Sequence, residues 1–185
     1  MIKDILFATW FFLPAGLANM TPVLVSHLPY LRRFNQPIDA NIRFRSVPLL
    51  GDHKTWRGLL SGIVVAVIVL QLQVILFNHV DFFRTISNGV QYNHLPVFAL
   101  GILLGFGALG GDIVESFFKR QFNILPGKSL FPFDQIDYII GGLLGSMVII
   151  SFNFSQYLWI IVTWLILHLM AGLVGFLIGV KDKPI

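Results

Sequence analysis

The chain has 185 residues, 56% of them hydrophobic and only 12% charged, about half the charged share of a soluble domain, which predicts an integral membrane protein. The formal net charge of +4 is not a nucleic-acid signal, because the basic residues sit in short loops beside apolar runs and form no basic arm. The absence of cysteine excludes disulfides, iron–sulfur clusters and thiol catalysis, and the histidines lack zinc-type spacing, so any metal would be held by oxygen.

A membrane span takes about 20 apolar residues, and five segments qualify. The first, residues 5–31, follows Lys3 and reads as an uncleaved membrane helix. It is expected to be broken, because Pro14, Gly16, Asn19, Thr21 and Pro22 interrupt it, and broken helices are tolerated at membrane depth where they line a cavity. The second, 58–77, is a clean apolar run. The third, 95–111, carries Gly101, Gly105, Gly107 and Gly111, and the fourth, 138–154, carries Gly141 and Gly145. Small residues at this spacing suit close helix packing, within one chain or between copies, so homo-oligomerisation stays open. The fifth, 157–180, is the longest and ends in Lys181-Asp182-Lys183.

Orientation follows from the basic residues, which are retained on the cytoplasmic side. One side collects Arg32, Arg33, Arg43, Arg45, Lys54, Arg57, Lys119, Arg120, Lys128, Lys181 and Lys183; the other has Lys3 and Arg84. The expected fold is therefore all-α with five transmembrane helices, the N-terminus outside and the C-terminus cytoplasmic. Two cytoplasmic loops, about 32–57 and 112–137, would form the site of a multi-pass protein of the cell membrane. The outer loop 82–93 offers only an Asn88-Gly89 turn, and Asn153-Phe154-Ser155 is a glycosylation-type triplet at a membrane edge. Residues 1–185 read as one membrane-embedded domain.

The chemistry concentrates between Gly110 and Gly142. Read as a helix, Asp112, Glu115, Ser116 and Lys119 fall at i, i+3, i+4 and i+7 and share a face, and Asp134 and Asp137 repeat the i, i+3 spacing. Pro126 and Gly127 would stop the first helix and turn the chain back, bringing both acidic faces together. Carboxylates at a membrane edge are often plain solvated residues. Their grouping beside glycine-rich spans favours a polar cavity, and Mg²⁺ suits such a site because it takes one or two carboxylates together with waters and phosphates. Asp112, Asp134 and Asp137 are the expected metal ligands, with Glu115 a further candidate. In Gly51-Asp52-His53-Lys54-Thr55-Trp56-Arg57-Gly58, Lys54, Thr55 and Arg57 read equally as an anion site or as a positive anchor with an interfacial tryptophan. Asn19 reads as a packing residue. His168, alone in its apolar span, reads as a structural histidine.

LPAGLANMTP at 13–22, GDHKTWRG at 51–58, GD-x-x-ESFFKR at 111–120 and PFDQIDYIIG at 132–141 together resemble the CDP-archaeol synthase family, the CTP-dependent lipid cytidylyltransferases related to CDP-diacylglycerol synthase. The resemblance implies five membrane helices and a cytoplasm-facing, Mg²⁺-dependent site. That site would transfer CMP from CTP to 2,3-di-O-geranylgeranylglyceryl phosphate, releasing pyrophosphate in phospholipid biosynthesis. On this reading Asp112, Asp134, Asp137 and Lys119 are catalytic. Lys119, Arg120, Lys128 and Ser116 bind CTP, while Lys54, Thr55, Arg57 and Asn19 serve the lipid phosphate. Asp134-Gln135-Ile136-Asp137 keeps both aspartates of the wider superfamily's signature, with Gln135 in place of its arginine and Phe131-Pro132-Phe133 in place of its His-Gly-Gly. The alternatives are a phosphatidate cytidylyltransferase making CDP-diacylglycerol and, in another class, a membrane transporter or structural subunit.

Overall fold

The computed structural model describes residues 1–44, 47–51, 53–124 and 130–179, the side chain of Arg32 excepted. Lys128, the Pro126-Gly127 break, Arg45, Asp52 and the 181–183 triplet lie outside the described residues.

Helix α1 runs unbroken over Ile2–Ser26, where the sequence suggested a broken span. Proline removes one backbone donor and so frees the carbonyl four residues earlier. For Pro14 that carbonyl belongs to Trp10, and the buried side chain of Gln73 donates to it from Nε2 at 2.5 Å. A neighbouring helix thus supplies the missing bond, and no break is needed. Gln73 belongs to α2, Trp56–His79. This helix starts at Thr55, whose Oγ1 accepts from the Gly58 N–H at 3.2 Å, an N-cap that satisfies one orphan donor.

Between α1 and α2 the chain is more ordered than a bare loop. It forms a 3₁₀ turn at Pro29–Phe34 and a minimal antiparallel pair, β1 (Arg43–Phe44) with β2 (Val47–Pro48). Buried Asp39 accepts from the Asn41 and Leu50 N–H groups and holds the loop folded. At the other end of α2 lies the short α3, Asp81–Ile86.

Helix α4 covers Val97–Gln121, ten residues beyond the expected end of the third span, so the 112–121 stretch is helix and not loop. It stops before the Pro126-Gly127 pair. Asn123 takes a left-handed φ of +56°, and its N–H and that of Ile124 donate to the carbonyls of Arg120 and Lys119, a Schellman cap in which asparagine serves for glycine. Helix α5, Phe133–Ser146, returns antiparallel along α4. The two backbones touch at Gly107 and Gly141, where a methyl group on either would overlap the carbonyl of the other. Lipid offers helices no hydrophobic drive to associate, so such contact is what holds the pair.

With 14 residues, α5 rises about 21 Å, short of a bilayer's ~30 Å core. The expected fourth span 138–154 is therefore helical only in part. Residues 147–153 lead on to the next helix without helical structure and are exposed in large part, held by Phe152, which packs edge-on against Phe7 and Phe11 of α1 and whose N–H donates to the Tyr157 hydroxyl. Among the described residues, four helices are long and apolar enough to cross a membrane: α1, α2, α4 and the last, α6, Phe154–Leu177. Asn153 opens α6 with a reciprocal capping box to Gln156. The core joins α1 to the other helices through Phe7, Phe11, Leu70, Leu104, Ile139 and Ile160, all fully buried.

Candidate active site

Three carboxylates meet where α4 and α5 are closest. Gly111 lies against the Asp137 backbone with no room for a side chain, which sets the first turns of α5 on the polar face of α4. Asp112, Glu115 and Asp137 each bring an oxygen to within 4.8 Å of the others. Asp134, one turn earlier on α5, is not in this trio. Its Oδ2 pairs with Lys119 Nζ at 2.6 Å, and its Oδ1 accepts from the Leu130 N–H at 3.0 Å. The third carboxylate of the trio is thus Glu115, the further candidate, and not Asp134, which pairs with Lys119 instead.

Two lysines compensate these groups. Lys119 Nζ is shared between Asp134 and Glu115 Oε1, the latter at 2.8 Å. Lys54 Nζ reaches Asp112 Oδ2 at 2.5 Å from the inter-helix loop. Its backbone is fixed by the Ile38 N–H donating to its carbonyl and by the bridge of Pro37 with Thr55. Four carboxylates therefore face two paired ammonium groups, an imbalance that one divalent cation would cancel. The strain falls on Asp137, which precedes the apolar run of α5. Burial first, and then the Asp112 charge beside it, push its carboxyl from 3.8 up to about 8. Burial also opposes ionisation of Asp134, but Lys119 and the hydrogen bonds with Glu115 and the Leu130 N–H together outweigh it and hold that carboxyl below the ordinary carboxylate range. Two aspartates three residues apart are driven in opposite directions by their neighbours.

Two polar cavities share this acidic wall. One, about 530 Å³, runs from the carboxylates to Val47, Gly51, Ser116, Lys119, Arg120 and Asn123. The other, about 720 Å³, runs between α1, α2 and α6 to Asn19, Ser26, Asn35, Arg57 and His168. Lys54, His53, Asp112, Asp134 and Asp137 border both. The candidates therefore divide: Ser116, Lys119 and Arg120 face the first cavity, Asn19, Thr55 and Arg57 the second. Ser116 donates to Glu115 Oε2 at 3.4 Å. Thr55 is buried and committed as the cap of α2, and Arg57 donates from Nη1 to the Leu31 carbonyl at 3.0 Å. Gln135, at the position of the superfamily's arginine, is buried and is not among the described residues lining either cavity.

Two residues bordering these cavities were not among the site candidates: His53 was assigned no role, and His168 was read as a structural histidine. For His53 no signal existed; for His168 the signal was its place as an ionisable side chain in an apolar span, which by default marks a polar cavity.

A third cavity differs in kind. It is an apolar groove along the outer seam of α4 and α5, lined by Val114, Phe118, Phe122, Ile136, Ile140 and Leu144, and it reaches Glu115 and Asp137 at its inner edge.

Helices of membrane length around a buried, oxygen-rich acidic site, with polar room on two sides and apolar surface beside it, define an intramembrane protein built to bring a polar, anionic reactant to a lipid. The chain belongs to the CDP-archaeol synthase family, since the CarS-like CDP-archaeol synthase model matches residues 1–185. It is 32% identical to the CDP-archaeol synthase of Thermococcus kodakarensis over 184 residues, covering 99% of this chain and 98% of that one. It is 30% identical to that of Methanocaldococcus jannaschii over 189 residues, covering 98% of each. A solved structure described as an intramembrane enzyme for archaeal membrane lipids biosynthesis superposes with a TM-score of 0.72 at 27% identity, covering 90% of this chain and 93% of that one.

Proposed function

We propose that the protein is a CTP-dependent cytidylyltransferase that converts 2,3-di-O-geranylgeranylglyceryl phosphate into its CDP derivative at the cytoplasmic membrane face. The observation that carries this reading is that Asp112 and Asp137 of the carboxylate trio, with Asp134, stand as the common wall of two polar cavities, Glu115 facing the first. A reaction joining two phosphates needs a place for each and a cation-binding group between them. The relatives favour the ether-linked lipid over a diacyl phosphate, since both are CDP-archaeol synthases over their full length. The weight of Lys and Arg at the end that carries the site supports the cytoplasmic orientation, with the chain crossing five times and its fourth crossing completed by the non-helical 147–153 segment.

The cavity bordered by Ser116, Lys119 and Arg120 receives the triphosphate of CTP, and the cavity bordered by Asn19 and Arg57 receives the lipid phosphate. Asp112, Glu115 and Asp137 offer the hard oxygen donors that Mg²⁺ prefers, and Asp134 acts through Lys119. Bound there, Mg²⁺ would supply Lewis-acid charge stabilisation for phosphoryl chemistry. The lipid phosphate oxygen attacks the α-phosphorus of CTP, the bond from that phosphorus to the bridging oxygen breaks, and pyrophosphate departs. The nucleophile is already an anion, so no general base is required. What the chain contributes is positioning and compensation of charge. Lys54, paired with Asp112 and bordering both cavities, stands where the two phosphates would meet.

Asp137→Asn keeps the size of the side chain and removes one donor of the trio. The purified variant is expected to lose at least about 100-fold in CTP-dependent product formation, the scale of a lost electrostatic contact in a reaction site, while its metal-free melting temperature is no lower than that of the wild type. Near-normal turnover by this variant would sink the assignment.

A further inference from the structure

His168 is the single histidine or charged residue among the 24 residues of α6, yet it does not face lipid alone. It borders the second cavity together with Asn19, Arg57 and the aspartates of the site. Its ring centroid lies 5.6 Å from that of Tyr138, the residue directly after Asp137. Tyr138 is itself buried, and its hydroxyl donates to the Trp164 carbonyl at 3.3 Å, one helical turn before His168 on α6. The tyrosine thus ties α6 to α5 beside the carboxylates and holds the imidazole in register with them. The cavity's lining also includes Val23 of α1, which is 64% exposed.

This cavity is also bordered by the Lys54 ammonium and, from another wall, by the Arg57 guanidinium, the cationic donors a phosphate takes. We propose that His168 is a headgroup-binding residue: its imidazole hydrogen-bonds a terminal oxygen of the acceptor lipid's phosphate, opposite Arg57, and so sets which headgroups the second cavity accepts. The inference rests on the assignment of that cavity to the lipid phosphate and names the α6 side of the subsite. A phosphomonoester offers terminal oxygens to both walls at once, whereas an esterified phosphate places a substituent against one of them.

The test is direct binding of 2,3-di-O-geranylgeranylglyceryl phosphate in detergent, without CTP, to the wild type and to His168→Leu, which fills the position with a residue native to an apolar span. His168→Leu should weaken lipid-phosphate binding by about 10- to 100-fold, the worth of one hydrogen bond to a charged group. It should raise KM for the lipid correspondingly and leave KM for CTP and the melting temperature unchanged. His168→Gln, which keeps a donor, should recover part of the loss. Unchanged lipid affinity in His168→Leu would overturn the proposal, as would a joint loss of CTP affinity, lipid affinity and thermal stability, which marks a structural histidine, or a wild type that does not bind the lipid phosphate. A wild type that binds the lipid with His168-dependent affinity but transfers no CMP leaves this proposal standing and removes the cytidylyltransferase reading.

Discussion

Asp137 carries the site's charge imbalance, and its pH behaviour follows from that. Its folded-state carboxyl is raised to about 8, above the unfolded value, so its contribution to stability is present in full below the ordinary carboxylate range and is lost as pH rises through about 8. Asp134, held below its ordinary range by Lys119 and its hydrogen bonds, runs oppositely: its contribution is present at neutral pH and is lost only in acid. Between pH 5 and 8 the metal-free protein should therefore become less stable, and added Mg²⁺, which needs the ionised carboxylate, should raise the melting temperature more at pH 8 than at pH 6. Tryptophan-fluorescence melts in detergent check this, and Asp137→Asn should flatten the dependence. A cation effect that is the same at both pH values in the wild type would show that Asp137 is not a ligand. At this scale Asp112, Asp137 and Lys119 were legible in the sequence, because i, i+3, i+4 and i+7 spacing defines a helical face. Glu115 was a further candidate there too, but that it and not Asp134 joins the trio depends on where two helices cross. That His168 borders a cavity was not legible, because spacing along one helix says nothing about what lies beside it.

The glycines of α4 and α5 are not equivalent. Gly110 has open space where a side chain would stand, whereas a methyl group on Gly141 would overlap the Gly107 carbonyl. Gly110→Ala should thus be neutral or stabilising by up to about 1 kcal/mol, the helix-propensity gain. Gly141→Ala should cost on the order of 1–3 kcal/mol, as overpacking does. Because the contact that positions Asp137 lies one turn away at Gly111, Gly141→Ala should also weaken Mg²⁺ binding, and Gly110→Ala should not. Melting curves and cation titrations of the pair read both effects; equal behaviour of the two variants would remove the glycine contact as the device that assembles the site. The small-residue spacing announced this packing in advance. The helix ends were less visible: α4 continues through its polar face because Asp112, Glu115 and Lys119 are good company in a helix, and it ends on an asparagine cap where Pro126-Gly127 had seemed the obvious stop. The unbroken α1 depended on Gln73, 59 residues beyond Pro14, and no local pattern reveals a partner at that distance.

At the scale of the molecule, the helices bring one acidic site to the end where the positive charge gathers, with polar space on two sides and an apolar groove alongside. Hydropathy made the membrane class and four of the spans legible, and the distribution of Lys and Arg yielded an orientation. The extent of the expected fourth span was less legible, because α5 covers only part of it and the rest is non-helical chain held by Phe152 among aromatic residues of α1 and α6. The central claim is transfer of the α-phosphoryl nucleotide to a lipid phosphate from the cytoplasmic side. It is tested most directly by giving sealed inside-out vesicles containing the protein 2,3-di-O-geranylgeranylglyceryl phosphate, Mg²⁺ and CTP labelled at either the α- or the γ-phosphorus. The α-label should enter the lipid fraction, with the γ-label recovered in pyrophosphate, and right-side-out vesicles should remain inactive; γ-label in the lipid, or no label from either position, would contradict it.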